Sequence, residues 1–269
     1  MKKTLAVMLA VLSMVLVFSA SGCHKETADV TTLTIGVDAS YPPMEFSDSK
    51  GDLVGFDVDF ANAIAKQLGI PTKFVKIDWD GIFQGLKTYK YDCIISSVSI
   101  TPDRLKSYSF TKPYISNAQM IVVKPGDNSI KADTDLASKK VGVQVGTTAN
   151  DSATTLIEKH NVKMKLSTYP TVLEPFAAMK AGSIDAVIVD EVVGQYYIKT
   201  SPKDYAAAAV KLTNEPCGIC LRKDDTALRD RVQTAIDTIV ANGTMKTLSE
   251  KWFGSDLTSD INTNYKTLS

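Results

Sequence analysis

The chain has 269 residues, 44% apolar and 22% charged, a composition that suits one large globular domain or two lobes. Lys and Arg number 30 and so do Asp and Glu, so no basic field exists to recruit nucleic acid. Loss of Lys2 and Lys3 with a leader would leave the acids slightly in excess, and charge says little else about partners.

Lys2 and Lys3 open the chain, residues 5–18 are apolar except for Ser13, and Ala20-Ser21-Gly22 supplies small residues for cleavage. The run is shorter than the roughly 20 residues that span a bilayer, so residues 1–22 read as a signal peptide. Cleavage before Cys23 resembles a bacterial lipoprotein signal, although leucine is usual where Ala20 stands. The resemblance implies acyl chains on Cys23, a lipid-anchored spacer over 23–32, and a place at the outer face of the cell membrane or in the periplasm.

A strand is expected over 33–37. Asp57 reads as the N-cap of a helix with Val58, Ala61, Ile64, Ala65 and Leu68 on one face, closed by Gly69. A strand over 72–76, a short helix over 81–88, and strands over 93–98 and 119–123 follow. Lys124-Pro125-Gly126 then marks a turn. The rhythm restarts with strands over 141–145, 163–166 and 186–189, alternating with helices over 148–160, 171–181 and 192–199. A strand over 217–221 and two helices split by Asn242-Gly243 complete the pattern.

Strands alternating with helices imply α/β architecture with parallel-type sheets and helices on both faces. The repeated arrangement suggests two lobes, 33–121 with 216–254 and 122–215, joined by crossings near 120–124 and 214–217. A polar tail follows over 255–269.

The cysteines left after the leader are Cys93, Cys217 and Cys220, an odd number and no disulfide framework. Cys217 and Cys220 have CxxC spacing, but the stretch looks extended, which aims residues three apart at opposite faces and too far for a disulfide. No second CxxC or His pair exists for a metal, and Gly142 to Gly146 lacks the third glycine of a dinucleotide fingerprint, so no cofactor is expected.

Polar groups collect at strand ends, where open α/β sheets form their sites. Ser96, Ser97 and Ser99 leave one strand, with Arg104 in the next turn. Gly146-Thr147-Thr148 leaves another into a helix N-terminus, a natural carboxylate cradle. Asp190 ends a third. A fixed cation with backbone N–H groups, and a fixed anion with hydroxyls, are what a free amino acid requires. The same residues have plainer readings: Arg104 could pair with Asp103 or Glu45, Asp190 could cap the next helix, and Tyr41 and Trp79 could be core aromatics.

Residues 33–254 resemble the polar amino-acid-binding proteins of bacterial ABC importers, solute-binding family 3. The phrases that carry the likeness are Asp38-Ala39-Ser40-Tyr41-Pro42-Pro43-Met44-Glu45-Phe46, Gly55-Phe56-Asp57-Val58-Asp59, and Ser97-Val98-Ser99-Ile100-Thr101-Pro102-Asp103-Arg104. Others are Phe110-Thr111-Lys112-Pro113-Tyr114, Val141-Gly142-Val143-Gln144-Val145-Gly146-Thr147-Thr148 and Lys251-Trp252-Phe253-Gly254. The resemblance implies the two-lobed periplasmic-binding-protein fold with two crossover hinge strands. It implies a monomer that delivers its ligand to importer membrane subunits without catalysis.

It also implies roles. Arg104 would fork onto the ligand carboxylate with N–H groups of Ser99 and Thr148. The Ser97 carbonyl, Ser99 hydroxyl and Asp190 would hold the ammonium, and Tyr41 and Trp79 would sandwich the side chain. Asp38 and Ser96 would line the far end, faced by Gln144. An anion, hydroxyls and an aromatic pair suit a cationic side chain, giving arginine or lysine first, then histidine or glutamine, then cystine. The alternatives are a cyclohexadienyl-dehydratase-like enzyme, with Glu174 or Glu191 as its acid, and a ligand-sensing partner of a separate receptor.

Overall fold

The computed structural model describes residues 30–261; the expected signal peptide, Cys23, most of the expected spacer and the last eight residues lie outside them. The first lobe is built on a five-stranded sheet of order β5-β1-β6-β13-β7, comprising β1 (Leu33–Val37), β5 (Thr72–Lys76), β6 (Cys93–Ile94), β7 (Tyr108–Phe110) and β13 (Cys220–Arg222). The second has the order β10-β9-β11-β8-β12, from β8 (Gln119–Val123), β9 (Lys140–Gln144), β10 (Lys165–Tyr169), β11 (Ala186–Asp190) and β12 (Ala206–Lys211). A small antiparallel sheet of β2 (Ser40–Tyr41), β3 (Glu45–Ser47) and β4 (Leu53–Val54) sits on the first lobe.

The sheets are mixed where a parallel type is expected. In each, four strands run one way and a single strand, β13 in the first and β8 in the second, runs antiparallel between two of them. The antiparallel strands flank the points where the chain changes lobes, so each return strand enters against the direction of the βαβ units. β8 and β11 are buried along their whole length, which accounts for their unbroken apolar runs. β12, Ala-Ala-Ala-Ala-Val-Lys, is an edge strand of alternating exposure that sequence reading passes over, because alanine has little strand preference.

The chain crosses between the lobes as a ribbon. Cys217 N–H donates to Ile115 O at 3.0 Å, Glu215 N–H to Asn117 O at 2.8 Å and Leu212 N–H to Gln119 O at 2.8 Å. The first crossing therefore precedes β8 instead of falling at residues 120–124.

The eight helices of the described residues are α1 (Phe56–Leu68), α2 (Trp79–Lys87), α3 (Pro102–Ser107), α4 (Thr148–Glu158), α5 (Leu173–Lys180), α6 (Glu191–Thr200), α7 (Thr226–Ala241) and α8 (Thr244–Phe253). The N-cap of α1 is Gly55 and not Asp57, which lies inside the first turn with its carboxylate buried. Gly55 has φ 142°, and a Cβ there would stand 2.0 Å from Met44 O. Next to it, Asp57 N–H donates to Met44 O at 2.8 Å, so the close approach fixes where Asp57 points. Phe56, Phe60 and Tyr114 then stack behind it, with the Phe60 and Tyr114 centroids 4.6 Å apart. Cys93, Cys217 and Cys220 are free and buried, and burial pushes all three thiols up, as expected of structural cysteines.

Gly55→Ala meets both the positive φ and the backbone oxygen. It should cost on the order of 2–3 kcal/mol and lower Tm by roughly 5–10 °C in thermal denaturation. A Tm within about a degree of the parent would show that the turn relaxes freely.

Candidate functional site

The C-terminal ends of four parallel strands converge between the lobes: β1 runs into Asp38, β6 into Ser96–Ser99, β9 ends at Gln144 and β11 at Asp190. Nine of the ten residues expected from sequence line one enclosed slot, joined by Thr147. The tenth, Asp38, stands behind Gln144 and faces a neighbouring crevice with Ser40, Lys76 and Asp78.

The lobes touch across the slot. Trp79 Nε1–H donates to Gly146 O at 2.8 Å, Gln144 Nε2–H to Asp38 Oδ2 at 2.7 Å, and the hydroxyls of Ser99 and Thr148 lie 3.4 Å apart. Gly146, at φ 70°, makes the turn that brings its carbonyl to the indole. About 10 Å³ remains inside, the space of one water, so any larger molecule enters by parting the lobes.

At one end Arg104 lies at half burial, its Nη1–H donating to Ser99 O at 2.9 Å and its guanidinium over the Trp79 and Phe83 rings at 5.5 and 5.1 Å. It pairs with neither acid named from sequence: Asp103 holds Lys106 at 2.6 Å, and Glu45 is sealed below the slot. Across from it Thr147 caps α4, its hydroxyl accepting from Asn150 N–H at 3.3 Å, which leaves Thr148 at the positive helix end.

At the opposite wall Asp190 is buried at the N-cap position of α6, yet its side chain makes no cap hydrogen bond. It turns instead to Gln119, whose Nε2–H reaches Asp190 Oδ1 at 2.5 Å and Thr148 Oγ1 at 3.0 Å. Burial raises the Asp190 carboxyl to about 6, with Glu215 adding to the rise. Tyr41 packs here, its hydroxyl pushed up by burial and by Asp190. At the end of the slot near Asp38, Gln144 also donates to Pro170 O at 3.2 Å, while its Oε1 is buried with no partner among the described residues. Burial likewise raises Asp38, although Ser40 holds it by a hydroxyl at 2.6 Å and an N–H at 3.2 Å.

Two acids form the floor, and sequence reading assigned neither to the site. Ser96 Oγ–H donates to Glu45 Oε1 at 2.6 Å while accepting from Asp38 N–H at 3.0 Å. Asp57 Oδ2 accepts from Ser97 N–H at 2.7 Å and from the Tyr114 hydroxyl at 3.0 Å. Burial, with Asp57 adding to it, holds Glu45 well above the usual carboxylate range, which favours its neutral form; burial raises Asp57 to about 6. The pair thus fixes Ser96 and Ser97, the latter held at φ 49°. Gln119 also escaped sequence reading, because it sits in the apolar strand Gln-Met-Ile-Val-Val and carries no local signal.

Residues 33–255 match the model of the bacterial extracellular solute-binding proteins, family 3. The chain belongs to that family. It is 33% identical to the L-cystine-binding protein of Escherichia coli, covering 90% of each chain. It is 35% identical to the L-arginine-binding protein of Pseudomonas aeruginosa, over 83% of this chain and 88% of that one. Among solved structures, an ancestral arginine-binding protein bound to arginine matches with a TM-score of 0.79 and 38% identity, over 83% of this chain and 99% of that one. The family and these relatives make the protein an extracytoplasmic binder of polar amino acids that serves an ABC importer. No helix of the described residues is long and apolar enough to cross a membrane.

If Glu45 acts as a neutral donor and acceptor, Glu45→Gln should keep both fold and ligand affinity. Glu45→Ala leaves Ser96 and Asp57 without it and should cost about 2–4 kcal/mol of stability. Equal losses from both variants, measured by denaturation and calorimetry, would mean that the proton on Glu45 has no role.

Proposed function

We propose that the slot takes a free amino acid by its backbone groups and favours a cationic side chain, arginine or lysine. The observation that supports this most is the set of buried acids around the slot, Asp38 and Asp190 with Glu45 and Asp57 below, facing hydroxyls and N–H groups without a buried ammonium among the described residues. A ligand α-ammonium would neutralise Asp190, with the Ser97 carbonyl and Ser99 hydroxyl completing its shell. Arg104 and the N–H groups of Ser99 and Thr148 would take the carboxylate, a bidentate geometry that only arginine offers. Tyr41 and Trp79 would flank the side chain. Gln144 Oε1, buried and unpartnered, would accept from its donors, and Asp38 and Ser96 would meet its end. A basic side chain supplies both donors and charge; the cystine-binding relative makes cystine a further candidate.

On this reading the protein works without catalysis, as a monomer acylated at Cys23, and hands the amino acid to the importer's membrane subunits. Residues 33–118 with 216–254 would form one lobe and 119–215 the other, hinged on the ribbon. Of the acids an enzyme would need, Glu174 is exposed and Glu191 pairs with Lys211 at 2.6 Å outside the slot. Asp190 is the acid inside it, and burial without a cation accounts for its raised pKa.

Calorimetry against the twenty amino acids, after unfolding to strip bound ligand, tests the assignment. Arg104→Ala should abolish binding with little loss of stability, since a desolvated carboxylate left unpaired costs about 3–5 kcal/mol. Asp38→Asn should weaken arginine or lysine by roughly ten- to a hundredfold and glutamine far less. An unchanged ranking in Asp38→Asn would sink the cationic preference alone, whereas Arg104→Ala binding within about threefold of the parent would sink the slot itself.

The proton and the ammonium compete for Asp190, whose folded pKa is raised. The unliganded fold should therefore gain stability as pH falls from 7 through about 6, and lose it as pH rises through that value. Ligand affinity should run the other way, falling by about tenfold per pH unit below 6, and Asp190→Asn should flatten the profile. A flat parent profile between pH 5 and 7 would separate Asp190 from the ammonium.

A further inference from the structure

The crossover ribbon has two faces. Gln119 and Glu215 turn toward the amino-acid slot, where Gln119 reaches Asp190 and Thr148. Their chain neighbours Ala118 and Asn214 line a second cavity on the other side, of about 530 Å³, and no residue lines both. That volume lies within the range of small-molecule sites. The division holds in β11 and α6 as well, where Asp190 faces the slot and Glu191 the cleft.

The cleft is walled by both lobes. Trp252 and Phe253 come from the first and Tyr196 and Lys199 from the second, with Phe46 spanning them by ring contacts to Tyr196 at 6.4 Å and Trp252 at 6.2 Å. Its charges do not cancel. Lys211 is neutralised by Glu191 at 2.6 Å, whereas Lys199, exposed on the last turn of α6, has no ion pair among the described residues. Three aromatic rings and one uncompensated ammonium suit a flat apolar body carrying a single negative charge.

We propose that the cleft behind the ribbon binds a small planar aromatic monoanion, and that its occupation is coupled to closure of the lobes on the amino acid. The coupling is mechanical. The lobes are joined at the ribbon, so a rotation that parts them at the slot brings Tyr196 and Lys199 toward Trp252 and Phe253. A guest that fits the wide cleft favours the closed slot, and the reverse holds by reciprocity. The coupling half rests on the amino-acid reading, whereas the cleft itself is tested without any amino acid.

The probe is anilinonaphthalene sulfonate, an aromatic monoanion with a flat naphthalene body that fluoresces when removed from water. The full mature protein should bind one equivalent saturably. Lys199→Glu, an exposed change outside the slot, should weaken it about tenfold by reversing the charge. Gln195→Trp, which adds a ring to the exposed rim, should alter the same affinity without lowering Tm. Arg104→Ala should bind the dye as the parent does, which separates the cleft from the slot. The amino acid identified by calorimetry should tighten the dye by about fivefold or more.

Dye binding that Lys199→Glu leaves unchanged, or that the amino acid displaces, would overturn the proposal. So would binding seen only after residues 262–269 are removed, which would assign the cleft to the chain's own terminal segment. Should no amino acid bind the parent, the transport reading fails and the dye titration still decides the cleft.

Discussion

The architecture turns on buried carboxylates held at strand ends by hydroxyls and N–H groups instead of by cations. Removing a carboxylate from water is costly, and the cost is met here by aimed donors at Glu45, Asp57 and Asp190, with burial raising the pKa of all three. Everything near the slot serves that condition. Gly55 brings Asp57 under Ser97, Tyr114 stacks on Phe60 so that its hydroxyl reaches Asp57, and Gln119 gives up an apolar strand position to reach Asp190. The result is a polar slot that is pre-organised and short of positive charge, with Arg104 alone at one end.

That arrangement also explains why the sheets are mixed. A purely parallel sheet would send every strand end to the same edge and leave the chain no way to cross and return within a short ribbon. The antiparallel strands β8 and β13 run beside the parallel ones and carry the chain between lobes exactly once in each direction. The parallel ends stay free for Asp38, the serine run, Gln144 and Asp190.

The slot was largely legible in the sequence, because its parts sit where local pattern changes. Ser96–Ser99, Gly146-Thr147-Thr148 and Asp190 each end an apolar run, and the family phrases carried Arg104 and Tyr41 with them. What escaped was set by tertiary contact. Asp57 looks like a helix cap because Asp often is one, yet Gly55 takes that place through a contact with Met44 that no local pattern encodes. Gln119 is one polar residue in a strand, and only the antiparallel pairing of β8 with β11, which sets it opposite Asp190, shows that it stands between Thr148 and Asp190. Glu45 reads in sequence only as a possible partner of Arg104, whereas burial and its hydrogen bond with Ser96 make it part of the floor of the slot. β12 and the small sheet were missed because short or alanine-rich strands have too little periodicity to read.

The two cavities complete the logic of the ribbon. A two-stranded crossing is stiff along its strands and soft about its length, so it transmits rotation while keeping the lobes at a fixed distance. Residues on alternate faces of one strand must then feel opposite changes: what compresses at Gln119 and Glu215 relaxes at Ala118 and Asn214. The short distance from Asp190 to Glu191, one residue apart and facing opposite cavities, makes β11 and α6 a single lever. An affinity set at the slot is therefore also a statement about the cleft behind it, since both are read out by one angle between the same two bodies.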